Sequence, residues 1–494
     1  MRFKMSELET KKKITFDIGW SFIATTIPLI IGFLLRILFG NYLGATGLGL
    51  YSLVLIIYSI VTLIGALGIP NATVRYVAKF KDRRDELNSF ISCSLVNSII
   101  LGIISALILY FLSNSISMFF HKPDLTPLIQ IISFGVPFFI LSNTIIRLFN
   151  GLRKMGSYSF GFIFRSVLIL VLSLLFIFLN LGIKGPILAI TISEIVTTIF
   201  VLILSKNVFS FILKDYLKES KELIAFGIQV VLADGTYFLD TNIDTIIVGY
   251  FLASQEVGIY SIAIMFSQIL FIIPMAISQV TYPMIAEYFS KNNIESIKLT
   301  ILKSTRYSFF FTSILGLGII LFSKDIIALL LPPQFLQATI PLIVLVYALI
   351  FYTPFISVGS LFNAIGKPRI VFFTGIIWVT LNTMINIALI PILGILGAAI
   401  ATSTTFILRP SLAFYLWNKL LEIKIAKWWY IKSWVALGLL MAFYLYLDSQ
   451  FNHSLFTYLL KIFIIAIWIF YLLNYLLIEE RVEILELLKH ILKI

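Results

Sequence analysis

Long apolar runs broken by short polar stretches dominate the chain. Roughly 20 predominantly apolar residues suffice for one helical crossing of a bilayer. Fourteen stretches qualify: 18–39, 47–69, 88–112, 127–149, 160–180, 185–205, 224–249, 258–280, 303–323, 338–361, 370–391, 394–417, 429–447 and 456–477. Two junctions are marked only by Gly-containing turns, LGIKG at 181–185 and LGILG at 393–397, so twelve or thirteen crossings stay open there. Two further segments, VFSFILKDYLKESKEL at 208–223 and EERVEILELLKHILKI at 479–494, mix apolar and charged residues at helical spacing. That spacing predicts helices lying on the cytoplasmic membrane surface. The whole pattern predicts an all-α polytopic membrane protein.

Composition agrees. Of 494 residues, 60% are hydrophobic and 12% charged, with a mean hydropathy of +1.03; an ordinary soluble domain is about a quarter charged. The net charge of +13 would suggest nucleic acid in a soluble protein. Its distribution says otherwise. With Met1 in the cytoplasm, alternate breaks should be basic. All but five of the 37 Lys and Arg residues fall in the termini or in breaks predicted inside, or at their edges. The exceptions are Lys122, Lys184 and Lys324 outside, and Arg36 and Lys461 within spans. A wrong helix count would scramble this alternation. Fourteen crossings and cytoplasmic N- and C-termini, in the cell membrane, therefore support one another, and no nucleic acid is expected as a partner. The single cysteine, Cys93, allows no intrachain disulfide, and His121, His453 and His490 fall in no metal-ligand spacing. Residues 1–17 are polar and basic, unlike a cleavable signal peptide.

The chain also repeats itself. GNYLGATGLGLYS at 40–52 and GYFLASQEVGIYS at 249–261 align at an offset of 209, matching Gly40 with Gly249, Gly49 with Gly258, Tyr51 with Tyr260 and Ser52 with Ser261. LFNGLRK at 148–154 matches LFNAIGK at 361–367, and LGIKG at 181–185 matches LGILG at 393–397, at offsets of 213 and 212. Each copy spans six helices. Six is even, so both enter the membrane in the same sense, and a pseudo-two-fold along the membrane normal should relate them, as in transporters built from parallel repeats. The predicted organisation is a cytoplasmic N-terminus (1–17), an N-lobe of six helices (18–205), a cytoplasmic amphipathic linker (206–223), a C-lobe of six helices (224–417), two extra helices (429–477) and a cytoplasmic amphipathic tail (479–494).

At these residues the chain resembles the polysaccharide transporter (oligosaccharide flippase) branch of the multidrug/oligosaccharidyl-lipid/polysaccharide flippase superfamily. GLGLYSLV at 47–54, DTIIVGYFLASQEVGIYSIA at 244–263, LFNAIGKPRI at 361–370 and NIALIPILGILGAAIATS at 386–403 carry the resemblance, which covers most of residues 15–415. It implies two six-helix lobes around a central cavity. It also implies flipping of polyprenyl-linked oligosaccharide from the cytoplasmic to the outer leaflet. Motifs fix the family's substrate residues poorly, so none is carried over by position.

A charge at mid-bilayer costs about 2.5–3.5 kcal/mol on insertion scales, so it should face a partner or a cavity. The seventh span carries Asp234, Asp240 and Asp244, the last two four residues apart and so on one helix face. The sixth carries Glu194 and the first Arg36. The repeat sets Arg36 at the depth of Asp244, which predicts that Arg36 pairs with Asp244 or Asp240 when the outer gate is shut; otherwise each charge reaches water at the interface. Asp234 and Glu194 are candidates for H+ or Na+ coupling or for contacts to sugar hydroxyls. Their plainer role is as buried carboxylates bonded to a hydroxyl such as Thr191 or Thr236. Arg147, Arg165, Arg306 and Arg409 stand one to two turns inside the cytoplasmic ends of their helices. A guanidinium matches phosphate in a two-pronged way, so these four are candidates to receive a pyrophosphate-linked headgroup. The alternative is that each reaches out to lipid phosphates. Pro28, Pro137, Pro274 and Pro354 predict kinks.

Competing functions stay open. A cation-coupled multidrug or small-molecule exporter of the same superfamily would need a carboxylate-lined N-lobe pocket, and the N-lobe offers only Asp17 and Glu194. An integral membrane glycosyltransferase or polymerase would need acidic or His residues on a sizeable outer loop. The outer loops hold Asp124, Glu256, Asp325 and Asp448 singly, with His121 and His453. No catalytic residue, metal or cofactor is expected, beyond coupling to H+ or Na+. The expected partners are a lipid-linked saccharide and membrane lipids, with the chain a monomer beside glycosyltransferases or a polymerase.

Overall fold

A computed structural model describes residues 2–422, 428–450 and 455–475. The α-helices in chain order are α1 (Arg2–Gly65), α2 (Ile69–Lys79), α3 (Arg84–Phe119), α4 (Leu125–Ser133), α5 (Val136–Gly151), α6 (Met155–Phe178), α7 (Lys184–Ser205), α8 (Tyr216–Phe251), α9 (Ser254–Ser267), α10 (Ile272–Ser290), α11 (Ile294–Leu321), α12 (Ser323–Leu330), α13 (Thr339–Ile356), α14 (Leu361–Ala364), α15 (Pro368–Leu393), α16 (Ile395–Leu421), α17 (Trp428–Gln450) and α18 (Leu455–Tyr475). Among the described residues, eleven helical segments are long and apolar enough to cross a membrane, or twelve with the bent pair α4–α5 taken as one. The chain is a multi-pass, all-helical membrane protein.

This count differs from fourteen at two places. The stretches 18–39 and 47–69 both fall in α1, which is two helices joined across a kink at Gly44, where φ is 67° and ψ −174°. Glycine adopts that conformation without a Cβ clash. In α17 the apolar run is short, Ile431–Tyr444. The two Gly-marked junctions are true breaks: Gly182 and Gly394 both have positive φ, between α6 and α7 and between α15 and α16. The predicted surface tail at 479–494 lies outside the described residues.

The linker also departs from expectation. One surface helix is predicted over 208–223, but the helix begins only at Tyr216. Before it, the backbone N–H groups of Ser210, Ile212 and Lys214 donate to side-chain oxygens of Asn88, Ser92 and Ser89 on α3, at 3.2, 3.0 and 3.3 Å. Alternate residues facing one partner is the period of extended chain. The polar stripe of α3 thus supplies acceptors that a helix would find within itself. From Tyr216, α8 runs 36 residues without interruption. The hydroxyls of Tyr216 and Ser220 fasten its start to Asn97 Oδ1 at 3.1 and 3.0 Å.

The chain forms two compact units, Met1–Gly258 and Ile259–Ile494. The first has a core around Ile91, Ile145 and Phe149, with Phe90 stacked between Tyr76 and Phe80, ring centroids 4.8 Å from each. The second has a core around Ile301, Phe355 and Trp417. In that unit Trp468 of α18 donates from its ring nitrogen to Ser313 of α11 at 3.0 Å. Two exceptions to the basic alternation prove to be internal fasteners. Lys461 of α18 pairs with Asp325 of α12 at 2.5 Å. Lys122 donates from Nζ to the carbonyl oxygens of Phe120, Gly249 and Leu252, the last two at the end of α8. A helix leaves its final carbonyls without intrahelical partners, and Lys122 answers that need. Burial pulls its ammonium below the usual lysine value, opposed by Glu256.

Residues matched by the repeat make matched contacts. Gly49 and Gly258 lie against each other where α1 meets the start of α9. A Cβ on Gly49 would stand 1.8 Å from the Ser254 carbonyl oxygen, and one on Gly258 1.9 Å from that of Ala45. Ala45 and Ser254 are themselves mates at the offset of 209, so the contact is reciprocal. Separately, within the first unit Thr191 Oγ1 donates to the Ile131 carbonyl oxygen at 3.3 Å. Within the second, Ser403 Oγ donates to that of Val344 at 3.1 Å. The donors lie 212 apart and the acceptors 213, the repeat's own offsets. Gly49→Ala is expected to cost about 3 kcal/mol, because backbone rather than a yielding side chain blocks the methyl. Gly156→Ala, where a Cβ meets nothing within 4 Å, should stay within about 0.5 kcal/mol. Thermal unfolding of both variants in detergent checks the contrast.

Candidate functional site

The site begins where α2 and α8 cross in the first unit. Gly68 and Gly227 lie backbone to backbone there: a Cβ on Gly68 would be 2.3 Å from the Gly227 carbonyl oxygen. Asn71 is one turn on from Gly68 and Asp234 two turns on from Gly227, so helical spacing returns both to the crossing face. Asn71 Nδ2 donates to Asp234 Oδ2 at 3.2 Å. Arg147 of α5 acts electrostatically on the same carboxylate. The Arg147 side chain is half-buried, and its Nε is shielded from solvent without a hydrogen-bond partner. Asp234 is exposed and stands midway along the 36-residue α8. At 1.5 Å per residue, either end of the helix is about 26 Å away. An exposed carboxylate at such a point needs a water-filled recess, because lipid would exclude it. Thr236, the hydroxyl expected to satisfy Asp234, instead donates to the Leu232 carbonyl oxygen of its own helix at 2.9 Å.

Glu194 has a different fate. The expected partner Thr191 is spent on backbone oxygens, and the carboxylate meets Arg165 instead. Arg165 Nε stands 3.2 Å from Glu194 Oε2, with the two side chains 9% and 3% exposed. Arg165 Nη2 donates to Ser142 Oγ at 2.6 Å, and the guanidinium lies over the Phe139 ring at 4.9 Å. The Tyr58 hydroxyl is buried within electrostatic range of both charges and has no hydrogen-bond partner. A charge this deep is tolerated only beside its opposite. Arg165, expected near the cytoplasmic end to receive a headgroup, is therefore an internal counter-ion.

The remaining candidates are dispersed. Arg36 is half-buried, and the polar group acting on it is the Tyr51 phenol rather than an aspartate. Across the kink at Gly44, Phe39 meets Tyr51 with ring centroids 4.8 Å apart. Asp240 is half-buried and Asp244 buried, and other groups engage both. In the second unit, Arg306 is half-buried on α11. Arg409 of α16 donates to the Tyr352 hydroxyl at 3.4 Å and is clasped by the rings of Tyr352, Phe406 and Trp378 at 5.2, 5.1 and 5.9 Å. A largely apolar cleft of about 620 Å³ separates α10 from α11, with Thr281, Tyr288 and Lys303 in its walls. Among the described residues, no three His, Cys, Asp or Glu side chains are grouped to hold a metal ion. Sequence reasoning missed Asn71 and Tyr58, whose uncharged side chains carried no signal; the spacing of Asn71 from Gly68 was the one available cue.

Removing one member of the Arg165–Glu194 pair leaves a buried lone charge. Arg165→Met or Glu194→Leu alone is expected to cost about 3–5 kcal/mol, and the double replacement much less. Thermal unfolding of the three variants checks this.

Residues 14–289 match the family profile described as "Polysaccharide biosynthesis protein", and residues 230–388 match the MatE profile. An uncharacterized membrane protein of Methanocaldococcus jannaschii is 25% identical over 83% of this chain and 85% of its own length. The probable low-salt glycan biosynthesis flippase Agl15 of Haloferax volcanii is 27% identical over 47% of this chain and 50% of its own. Among solved structures, the lipid II flippase MurJ in an inward closed conformation matches with a TM-score of 0.72 at 19% identity, covering 92% of this chain and 98% of that one. The chain and MurJ share a fold.

Proposed function

The chain belongs to the polysaccharide biosynthesis family within the multidrug/oligosaccharidyl-lipid/polysaccharide flippase superfamily, and from that membership we propose that it flips a polyprenyl-linked oligosaccharide from the cytoplasmic to the outer leaflet by alternating access. Surface polysaccharide or glycoconjugate assembly is the pathway served. The observation that carries the reading is the exposed Asp234 midway along α8, with Asn71 bonded to it and Arg147 nearby. Sugar hydroxyls both donate and accept, and a carboxylate beside a carboxamide offers both functions. The flippase names of Agl15 and MurJ point the same way.

In this reading α1 crosses twice and α17 once, giving fourteen crossings with both termini cytoplasmic. An N-lobe (18–205) and a C-lobe (224–417) are related by a pseudo-two-fold, with the extra helices (429–477) outside the duplication. The reciprocal Gly49–Gly258 contact and the matched Thr191 and Ser403 bonds support the duplication. The alternation of Lys and Arg supports the orientation. H+ or Na+ coupling, if transport is driven, runs through Asp234. The chain works in the cell membrane as a monomer beside glycosyltransferases or a polymerase.

The MatE match over 230–388 favours a second reading, a cation-coupled multidrug exporter. Such an exporter would need free carboxylates in the N-lobe, and Glu194 is neutralised by Arg165. Reconstitution decides between the two. Proteoliposomes carrying a prenyl diphosphate-linked N-acetylglucosamine oligosaccharide should expose it to an external lectin only when the protein is present. Extrusion of a cationic dye with no movement of the glycolipid would favour the exporter. Asp234→Asn should leave melting unchanged and abolish any dependence of flipping on an imposed H+ or Na+ gradient; a persisting dependence assigns coupling elsewhere.

A further inference from the structure

We infer that Arg147 is the guanidinium that takes the phosphate of the substrate, with Asn71 and Asp234 beside it taking hydroxyls of the adjoining sugar. The inference rests on the flippase reading and separates Arg147 from Arg165 among the candidate arginines.

The first step is to ask which guanidinium has donors left to give. Arg165 does not: a carboxylate stands against its Nε and its Nη2 is bonded to Ser142. A phosphate arriving there would have to displace Glu194 inside a sealed core, and the displaced carboxylate would be left buried and unpaired. Arg147 differs in each respect. Its Nε is removed from solvent with no partner in the protein, a state that costs about 1–3 kcal/mol for a buried polar group. Such an atom calls for a water or a ligand. The carboxylate that acts on it, Asp234, is held instead by the Asn71 amide at 3.2 Å.

The second step is to ask what fits the trio. The planar fork of a guanidinium matches two phosphate oxygens, and that match is stronger than a point-charge contact. A lone phosphate would be repelled by Asp234, whereas a phosphate already esterified to a sugar carries its own donors. A sugar hydroxyl can donate to Asp234 and accept from Asn71, replacing the bond those two make to each other. The chemistry selected is therefore a sugar joined directly to a phosphate. A neutral glycolipid would leave Arg147 unanswered, and a prenyl phosphate without sugar would leave Asp234 opposing it.

The test uses the full-length protein in detergent with three short-chain probes: prenyl diphosphate-linked N-acetylglucosamine, prenyl diphosphate alone, and an N-acetylglucosaminyl prenyl ether without phosphate. Wild type should bind the first most tightly. Arg147→Gln should weaken that probe about tenfold or more and leave the ether unchanged. Asn71→Ala should weaken the sugar diphosphate but not the bare diphosphate. Wild-type protein gives a reading free of folding defects. The sugar diphosphate, and not the ether, should protect Arg147 from phenylglyoxal as read by peptide mass spectrometry. If wild type binds the sugar diphosphate but Arg147 is unprotected, or folded Arg147→Gln binds it as tightly, the assignment falls and the flippase reading survives. If wild type binds no phosphate-bearing probe, both fall.

Discussion

Hydrocarbon offers no hydrogen-bond partner, so each polar group carried into the membrane must find one inside the protein or in water that the protein encloses. Most of the polar features of this chain follow from that constraint. The Arg165–Glu194 pair answers it with opposite charge. Lys122 answers it for the last carbonyls of α8, and Asn88, Ser89 and Ser92 for the backbone of an extended strap. Once these are accounted for, the trio of Asn71, Arg147 and Asp234 differs in kind. Its carboxylate is exposed and its guanidinium retains a desolvated nitrogen. An exposed carboxylate beside a desolvated guanidinium nitrogen is a place where something polar can arrive.

The fold class was legible because the bilayer imposes a single length on apolar runs. The repeat was legible because backbone contacts constrain residue type: Gly49 and Gly258 sit where a Cβ would strike a carbonyl oxygen. Other features were hidden for reasons equally physical. The strap at 208–215 has helical spacing in its sequence, but its partners lie on α3, about 120 residues away in the chain, beyond the reach of local periodicity.

The site was half legible, and the division is instructive. Charged residues within spans are conspicuous, so Asp234, Glu194, Arg147 and Arg165 stood out. Which of them pair did not, because pairing depends on helices brought together by the fold rather than by sequence distance. Glu194 and Arg165 lie on neighbouring helices α6 and α7, and the pair turns two candidate binding groups into one structural unit. Asn71 is the converse. As a neutral amide it gave no sign by itself, yet it is the group that donates to Asp234.

Repeat-matched positions surround a guanidinium in each unit. At the offset of 213, Phe139 is the mate of Tyr352, and each carries a guanidinium over its ring, Arg165 in the first unit and Arg409 in the second. The cations come from different helices. At offsets of 213 and 212, the mates of Arg165 and Glu194 are Trp378 and Phe406, two of the rings that clasp Arg409. The mate of Arg409 at 212 is Thr197, whose buried hydroxyl has no partner. Both halves thus keep a cation on the same aromatic platform, stabilised by a carboxylate in one and by a box of rings in the other.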